Sequence, residues 1–118
     1  MNAKPVNAKP VRPVFAFAPD LMDRSRISSA LPHVVFVAAV DQLSQAGPEA
    51  VVLVDLRRPG VLEAIPTLAA PVVGFASHVD EALLVAAREA GCAEVLPRSR
   101  FFRRLADFAT DTWQTGSE

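Results

Sequence analysis

The sequence predicts an α/β domain: a parallel sheet of five strands with helices on both faces. Three observations carry this. Val51-Val52-Leu53-Val54 is an unbroken apolar run that stops at Asp55 and is followed by the turn signal Pro59-Gly60. A short run of this kind fits a strand buried on both sides. Shorter apolar blocks recur on either side of it, and blocks of helical character separate them, an alternation that implies right-handed crossovers within one sheet. At 118 residues and 51% hydrophobic composition, the chain is a single domain large enough for a core without staples.

The elements follow in order. Residues 1–13 stand apart as an extended, Pro-rich arm in which Asn2-Ala3-Lys4-Pro5-Val6 is repeated as Asn7-Ala8-Lys9-Pro10-Val11. The domain proper spans residues 14–112, and 113–118 form a polar tail. Residues 14–18 are the first strand, ended by Pro19-Asp20, and Asp20 caps a helix that runs to about Leu31 before Pro32. Residues 33–39 are β-branched and aromatic, hence a second strand. A short helix at 41–46 stops at Gly47, and residues 50–56 form the third strand. A weak helix at 61–68 is interrupted by Pro66, and Pro71 opens a fourth strand ending at Phe75.

Ser77 or Asp80 caps the best helix of the chain, which runs to Ala90 and ends at Gly91. Residues 93–96 are the fifth strand. Ser99 caps a last helix whose apolar residues Phe101, Phe102, Leu105, Phe108 and Ala109 form one stripe. The whole is a flavodoxin-like three-layer sandwich, for which analogy supplies the strand order 2-1-3-4-5. Ligand chemistry in such sheets sits beyond the carboxyl ends of the strands, where Asp55 stands.

Composition removes several function classes. A net charge of −1 provides no global field for nucleic acid or an anionic membrane. The single Cys92 excludes an internal disulfide or a cysteine metal cage, and two distant histidines, His33 and His78, offer no zinc site. No apolar run approaches the roughly 20 residues of a membrane span, and the lysines near the N-terminus precede no signal-like apolar region. A cytoplasmic location is the expectation. Gly-rich phosphate loops are absent, and an aromatic content of 7% without Tyr gives no base-stacking platform.

Local motifs resemble the receiver domain of bacterial two-component response regulators over about residues 14–108. Val51-Val52-Leu53-Val54-Asp55 with Pro59-Gly60 is similar to the family's phosphoacceptor strand. Pro71-Val72-Val73-Gly74-Phe75-Ala76-Ser77-His78 resembles its fourth strand and switch loop, and Ala87-Arg88-Glu89-Ala90-Gly91-Cys92-Ala93 through Arg98 its fifth-strand region. The resemblance implies a phosphoacceptor at Asp55 and a Mg²⁺ ion held with two adjacent acidic residues after the first strand. Here Ala18 and Pro19 occupy those positions and Asp20 falls one place late. Ala76 takes the switch-loop hydroxyl position, with Ser77 one residue on, and Arg98 replaces the lysine after strand five.

The expectation is therefore a degenerate, pseudo-receiver signalling or scaffold module, non-enzymatic, with no cofactor and at most a weak Mg²⁺ site at Asp20 and Asp55. Its partners are proteins, a kinase or another signalling protein, or a second copy bound through the surface of the last two helices and fifth strand, where Val79, Leu83 and Phe102 are the interface candidates. Two alternatives stay open. One is a phosphorylatable single-domain response regulator using Asp55. The other is a small anion-binding protein using a rim of Arg57, Arg58 and Arg100 with Arg98. Asp55 itself also reads as a strand-end aspartate satisfied by loop amides or an arginine. Arg24 and Arg26 on the first helix are further candidates for the site's surroundings. His78 reads as a base or a plain loop residue, Cys92 as a small buried residue, and Trp113 as exposed or folded back.

Overall fold

The computed structural model describes residues 12–110 and Trp113; the N-terminal repeat and the rest of the tail lie outside the described residues. The chain forms β1 (Val14–Phe17), α1 (Leu21–Ala30), β2 (Val35–Phe36), a 3₁₀ segment (Val40–Gln45), β3 (Val51–Asp55), α2 (Val61–Ala64), a 3₁₀ turn (Ile65–Thr67), β4 (Val72–Ala76), α3 (Glu81–Ala90), β5 (Glu94–Pro97), α4 (Arg98–Arg103) and a closing 3₁₀ segment (Leu105–Ala109). All strand pairs are parallel, in the order β2-β1-β3-β4-β5. The alternating blocks predicted the parallel sheet, and the strand order is the flavodoxin-like one that analogy supplied.

The central strands are buried on both sides because nothing in them is polar until they end. All five residues of β3 and all five of β4 are buried, and β3 reaches its carboxyl end at Asp55, opposite Phe75. One face of the sheet packs Ile27 of α1 and Phe101, Phe102, Leu105 and Phe108 of the last helical region against Val14, Ala16, Val51, Leu53, Val73 and Phe75. The other face packs Leu43, Val61, Ile65, Leu84 and Ala87 against Phe17, Val52, Val54 and Val72.

Four local expectations need correction. The second strand is two residues, not seven. Leu31 accepts the Val34 amide in a turn, and the Gln42 side chain accepts the Ala38 and Ala39 amides at 2.8 and 3.2 Å, so the ladder is closed off at both ends. The 41–46 helix is a 3₁₀ segment that stops at Ala46, and the 61–68 helix changes to 3₁₀ at Ile65, next to Pro66, which has no amide to donate. Ser99 is not a cap, because α4 begins at Arg98 directly out of β5 with Pro97 at the capping position. Of the two readings of Trp113 the folded-back one holds: it is buried, with its ring edge-on to Phe108. Its indole N–H donates to Glu94 at 2.9 Å.

The strong helix α3 keeps its predicted limits. Gly91 closes it at φ 109°, a left-handed value that favours glycine, and its amide bonds back to Arg88. Asp80 occupies the capping position without a side-chain bond, while the Ser77 hydroxyl accepts the Val79 amide and shapes the preceding turn.

Candidate functional site

The carboxyl ends of β1, β3, β4 and β5 meet at one edge, and each contributes a side chain that the sequence singles out. Asp55 ends β3, buried. Its Oδ1 accepts the Arg57 amide at 3.1 Å and its Oδ2 accepts the Arg58 Nε at 3.4 Å, while its carbonyl accepts the Arg58 amide. The Pro59-Gly60 turn folds this loop back on the strand, with Gly60 at φ 86°. Asp55 is thus held by a loop amide and an arginine.

At the end of β1, Ala18 is buried and Pro19 exposed, and neither has a side-chain oxygen. Asp20 caps α1 by accepting the Asp23 amide at 3.0 Å. The carboxylate that sequence reasoning missed is Asp23 itself, buried one turn into α1. Its Oδ1 is ion-paired to the Arg98 guanidinium, and its Oδ2 is buried without a partner. The signal was available. Asp23, Ile27 and Leu31 recur every four residues, so a charge stood on the face that an apolar helix buries, and such a charge requires a partner.

Arg98, at the start of α4, is the cation of this edge. Its guanidinium lies 5.3 Å from the centre of the Phe75 ring and 5.2 Å from that of Phe102. The bond to Asp23 raises its pKa further above the ordinary arginine value against the opposing effect of burial, and the charges of Asp23, Asp55 and Asp20 act in the same direction. One arginine therefore stands in the field of all three carboxylates.

The Mg²⁺ ion implied by the resemblance does not suit this donor set. Mg²⁺ demands near-octahedral oxygen ligands, whereas Asp55, Asp20 and Asp23 each have an oxygen committed to an amide or an arginine. Among the described residues no three His, Cys, Asp or Glu side chains converge to hold a metal.

The other singled-out residues separate. Ala76 is buried at the end of β4, and Ser77 is half-buried with its hydroxyl turned to the local backbone. His78 is exposed and Val79 is 73% exposed in the same loop, and Leu83 is half-buried on α3. Phe102, by contrast, is 8% exposed and packs edge-on to Phe75 and Phe101 under Arg26, so it is a core residue and leaves the interface set. The arginine rim disperses. Arg58 turns in to Asp55, Arg98 binds Asp23, and Arg100 is exposed on α4.

A shallow cleft of about 470 Å³ opens beside this loop, but Glu63 and Asp80 line it together with Arg57 and Arg58, and Asp55 is not in its wall. Cys92 is partly buried, and burial pushes its thiol from 9.0 up to about 11, which suppresses the reactive thiolate. No helix among the described residues is long and apolar enough to cross a membrane.

No protein-family profile matches the chain, and no curated protein matches it significantly. Solved structures do. The signal receiver domain of NarL from Mycobacterium tuberculosis superposes with a TM-score of 0.64 at 24% identity, over 85% of this chain and 93% of that one. The phosphorylated cyanobacterial phytochrome response regulator RcpA superposes with a TM-score of 0.67 at 24% identity, over 88% of this chain and 97% of that one. At these identities the likeness establishes a shared fold.

Proposed function

We propose that this chain is a non-enzymatic, receiver-like signalling module that acts through protein contacts and does not depend on Mg²⁺-assisted phosphoryl transfer to Asp55. The observation that carries this reading is that the charged groups of the carboxyl edge are committed to one another: Asp55 to the Arg57 amide and Arg58, and Arg98 to the buried Asp23. Phosphoryl transfer onto a carboxylate brings anionic oxygens against an anion, and a metal and a mobile cation must neutralise them as charge moves. Ala18 and Pro19 supply no carboxylate to a metal, and Ala76 has no hydroxyl to donate. Freeing Arg98 would strand a buried carboxylate whose second oxygen is already unsatisfied. Such an edge favours one constant state over a switch.

The partners of such a module are signalling proteins, a kinase among them, or a second copy. For the second copy, Val79 and Leu83 stay available on the α3 side, and the face is smaller without Phe102.

Intact-mass spectrometry after incubation with Mg²⁺ and acetyl phosphate, beside an Asp55→Asn control, tests this reading. No phosphate adduct is expected on either protein. An adduct on the wild type that disappears in the variant would sink the proposal and restore Asp55 as phosphoacceptor, with Asp20 recruited to the metal.

A further inference from the structure

The two layers of helices differ in charge. Helices α1 and α4 with the closing 3₁₀ segment carry Arg24, Arg26, Arg98, Arg100 and Arg103 against Asp107 and the buried Asp23. Across the sheet, the 3₁₀ segment at Val40–Gln45 with α2 and α3 carries Asp41, Glu63, Glu81 and Glu89 against Arg88 alone. Among the described residues, Arg24, Arg26, Arg100 and Arg103 have no carboxylate within ion-pair distance.

Two of these arginines are nevertheless held in place. The Arg24 guanidinium sits 4.7 Å from the centre of the Phe36 ring, and that of Arg26 sits 4.1 Å from the centre of Phe102, bridging α1 to α4. A guanidinium held over a ring loses rotamer freedom while keeping N–H groups for bidentate bonds to carboxylates. Beside them on the first turn of α1, Leu21 is 77% and Met22 73% exposed. Met22 lies one helical turn before Arg26 and so on the same side of α1. Adjacent exposed apolar side chains within an unpaired cationic field mark a contact surface rather than ordinary solvated arginines.

We propose that the outer face of α1 and α4 docks an acidic, amphipathic segment of a partner protein, its Asp and Glu side chains pairing with Arg24, Arg26, Arg100 and Arg103 and its apolar side chains covering Leu21 and Met22. The occupant follows from charge complementarity, and the two apolar anchors favour a protein segment over the uniformly charged backbone of a nucleic acid. This deepens the reading above, since it names the chemistry of the contact through which the module acts. It does not require Asp55 to be unmodified.

The test uses the full chain and a synthetic helical peptide with Leu at i, i+4 and i+7 and Glu at the remaining positions, beside a Glu→Gln and a Glu→Lys version. Binding is followed by amide chemical shifts. The acidic peptide is expected to shift residues of α1 and α4, and binding should weaken about tenfold as salt rises from about 0.05 M to about 0.5 M. Arg100→Glu with Arg103→Glu should cost at least about tenfold in affinity. Both side chains are exposed and unpaired, so folding is not at stake. Met22→Ser should weaken binding several-fold, while Arg88→Glu on the opposite layer should leave it unchanged.

Equal binding of the Gln or Lys peptide, shifts on α3 in place of α1 and α4, or no binding would each overturn the proposal. So would binding to vesicles containing phosphatidylserine but not to the peptide, or a salt-sensitive self-association lost in the Arg100→Glu, Arg103→Glu variant. A phosphate adduct at Asp55 with peptide binding intact would remove the reading above and leave this one standing.

Discussion

The two faces of the sheet solve the same packing problem with different materials. Under α1 and α4 the core is aromatic: Phe75 stacks on Phe101 with ring centres 4.3 Å apart, Phe102 and Phe108 pack around Phe101, and Trp113 closes the far end. Under α2 and α3 it is aliphatic, with Phe17 the one buried ring among the Val, Leu, Ile and Ala of the described residues. The aromatic side needs large rings because its helices contribute few residues; α1 buries only Asp23 and Ile27. The aliphatic side closes by near approach instead. A Cβ on Gly74 would stand 2.5 Å from a methyl of Leu56, so glycine lets that side chain lie flat on β4.

The arginines follow the rings. All six arginine–ring contacts among the described residues, from Arg12 on Trp113 to Arg104 on Phe108, lie on the aromatic side. A flat ring near the surface accepts a guanidinium on its face where a branched aliphatic side chain does not. The same choice of core material thus gives this side both its packing and its outward charge.

The largest test of this contrast is truncation in each core. Phe101→Ala should cost about 4 kcal/mol, because it removes a buried ring and three aromatic contacts together. Leu43→Ala, equally buried on the other side, should cost about 3 kcal/mol. Urea denaturation compares them, and a larger loss at Leu43 would mean that the rings are not the main support of their face.

A smaller effect is expected at the carboxyl edge, where Arg98→Met should cost about 2 kcal/mol by leaving Asp23 buried and unpaired. Adding Asp23→Asn should recover part of that loss. A double-mutant cycle showing no coupling would mean that the pair contributes nothing specific to the edge.

The smallest effect concerns the amino end, where Glu94 receives Arg104 and the Trp113 indole. Burial acts to raise the Glu94 pKa, but the two hydrogen bonds and the Arg104 charge outweigh it and hold the group below its ordinary 4.5. The stability this contributes is present above the unfolded value and is lost as pH falls through the folded one. Thermal unfolding of Glu94→Gln between about pH 5 and about pH 3 should therefore show a shallower acid decline than the wild type. Identical slopes would leave the Trp113 closure without an electrostatic component.

Much of the fold was legible because strands β1, β3, β4 and β5 and helix α3 rest on local features: unbroken apolar runs, a capping position and Gly91. The site was legible only as a location. Asp55 at the end of its run predicted the carboxyl edge, and the absence of acidic residues at Ala18 and Pro19 is a fact of sequence. That its carboxylate accepts the Arg57 amide and the Arg58 side chain depends on how the Arg57-Arg58 loop folds back, which residue spacing does not encode.

By itself, then, the sequence determined the element order and which residues stand at the strand ends, since each depends on neighbours within about one helical turn or one strand. Tertiary structure alone decided the rest. Asp23 and Arg98 are 75 residues apart and meet only because β1 and β5 end at the same edge. Phe102 points inward because α4 follows β5 without a loop, and Gln42 halted β2 by reaching back to two amides of the preceding chain. Trp113 turned from tail to core for the same reason: a buried indole needs an acceptor, and Glu94 was brought to it by the packing of the sheet.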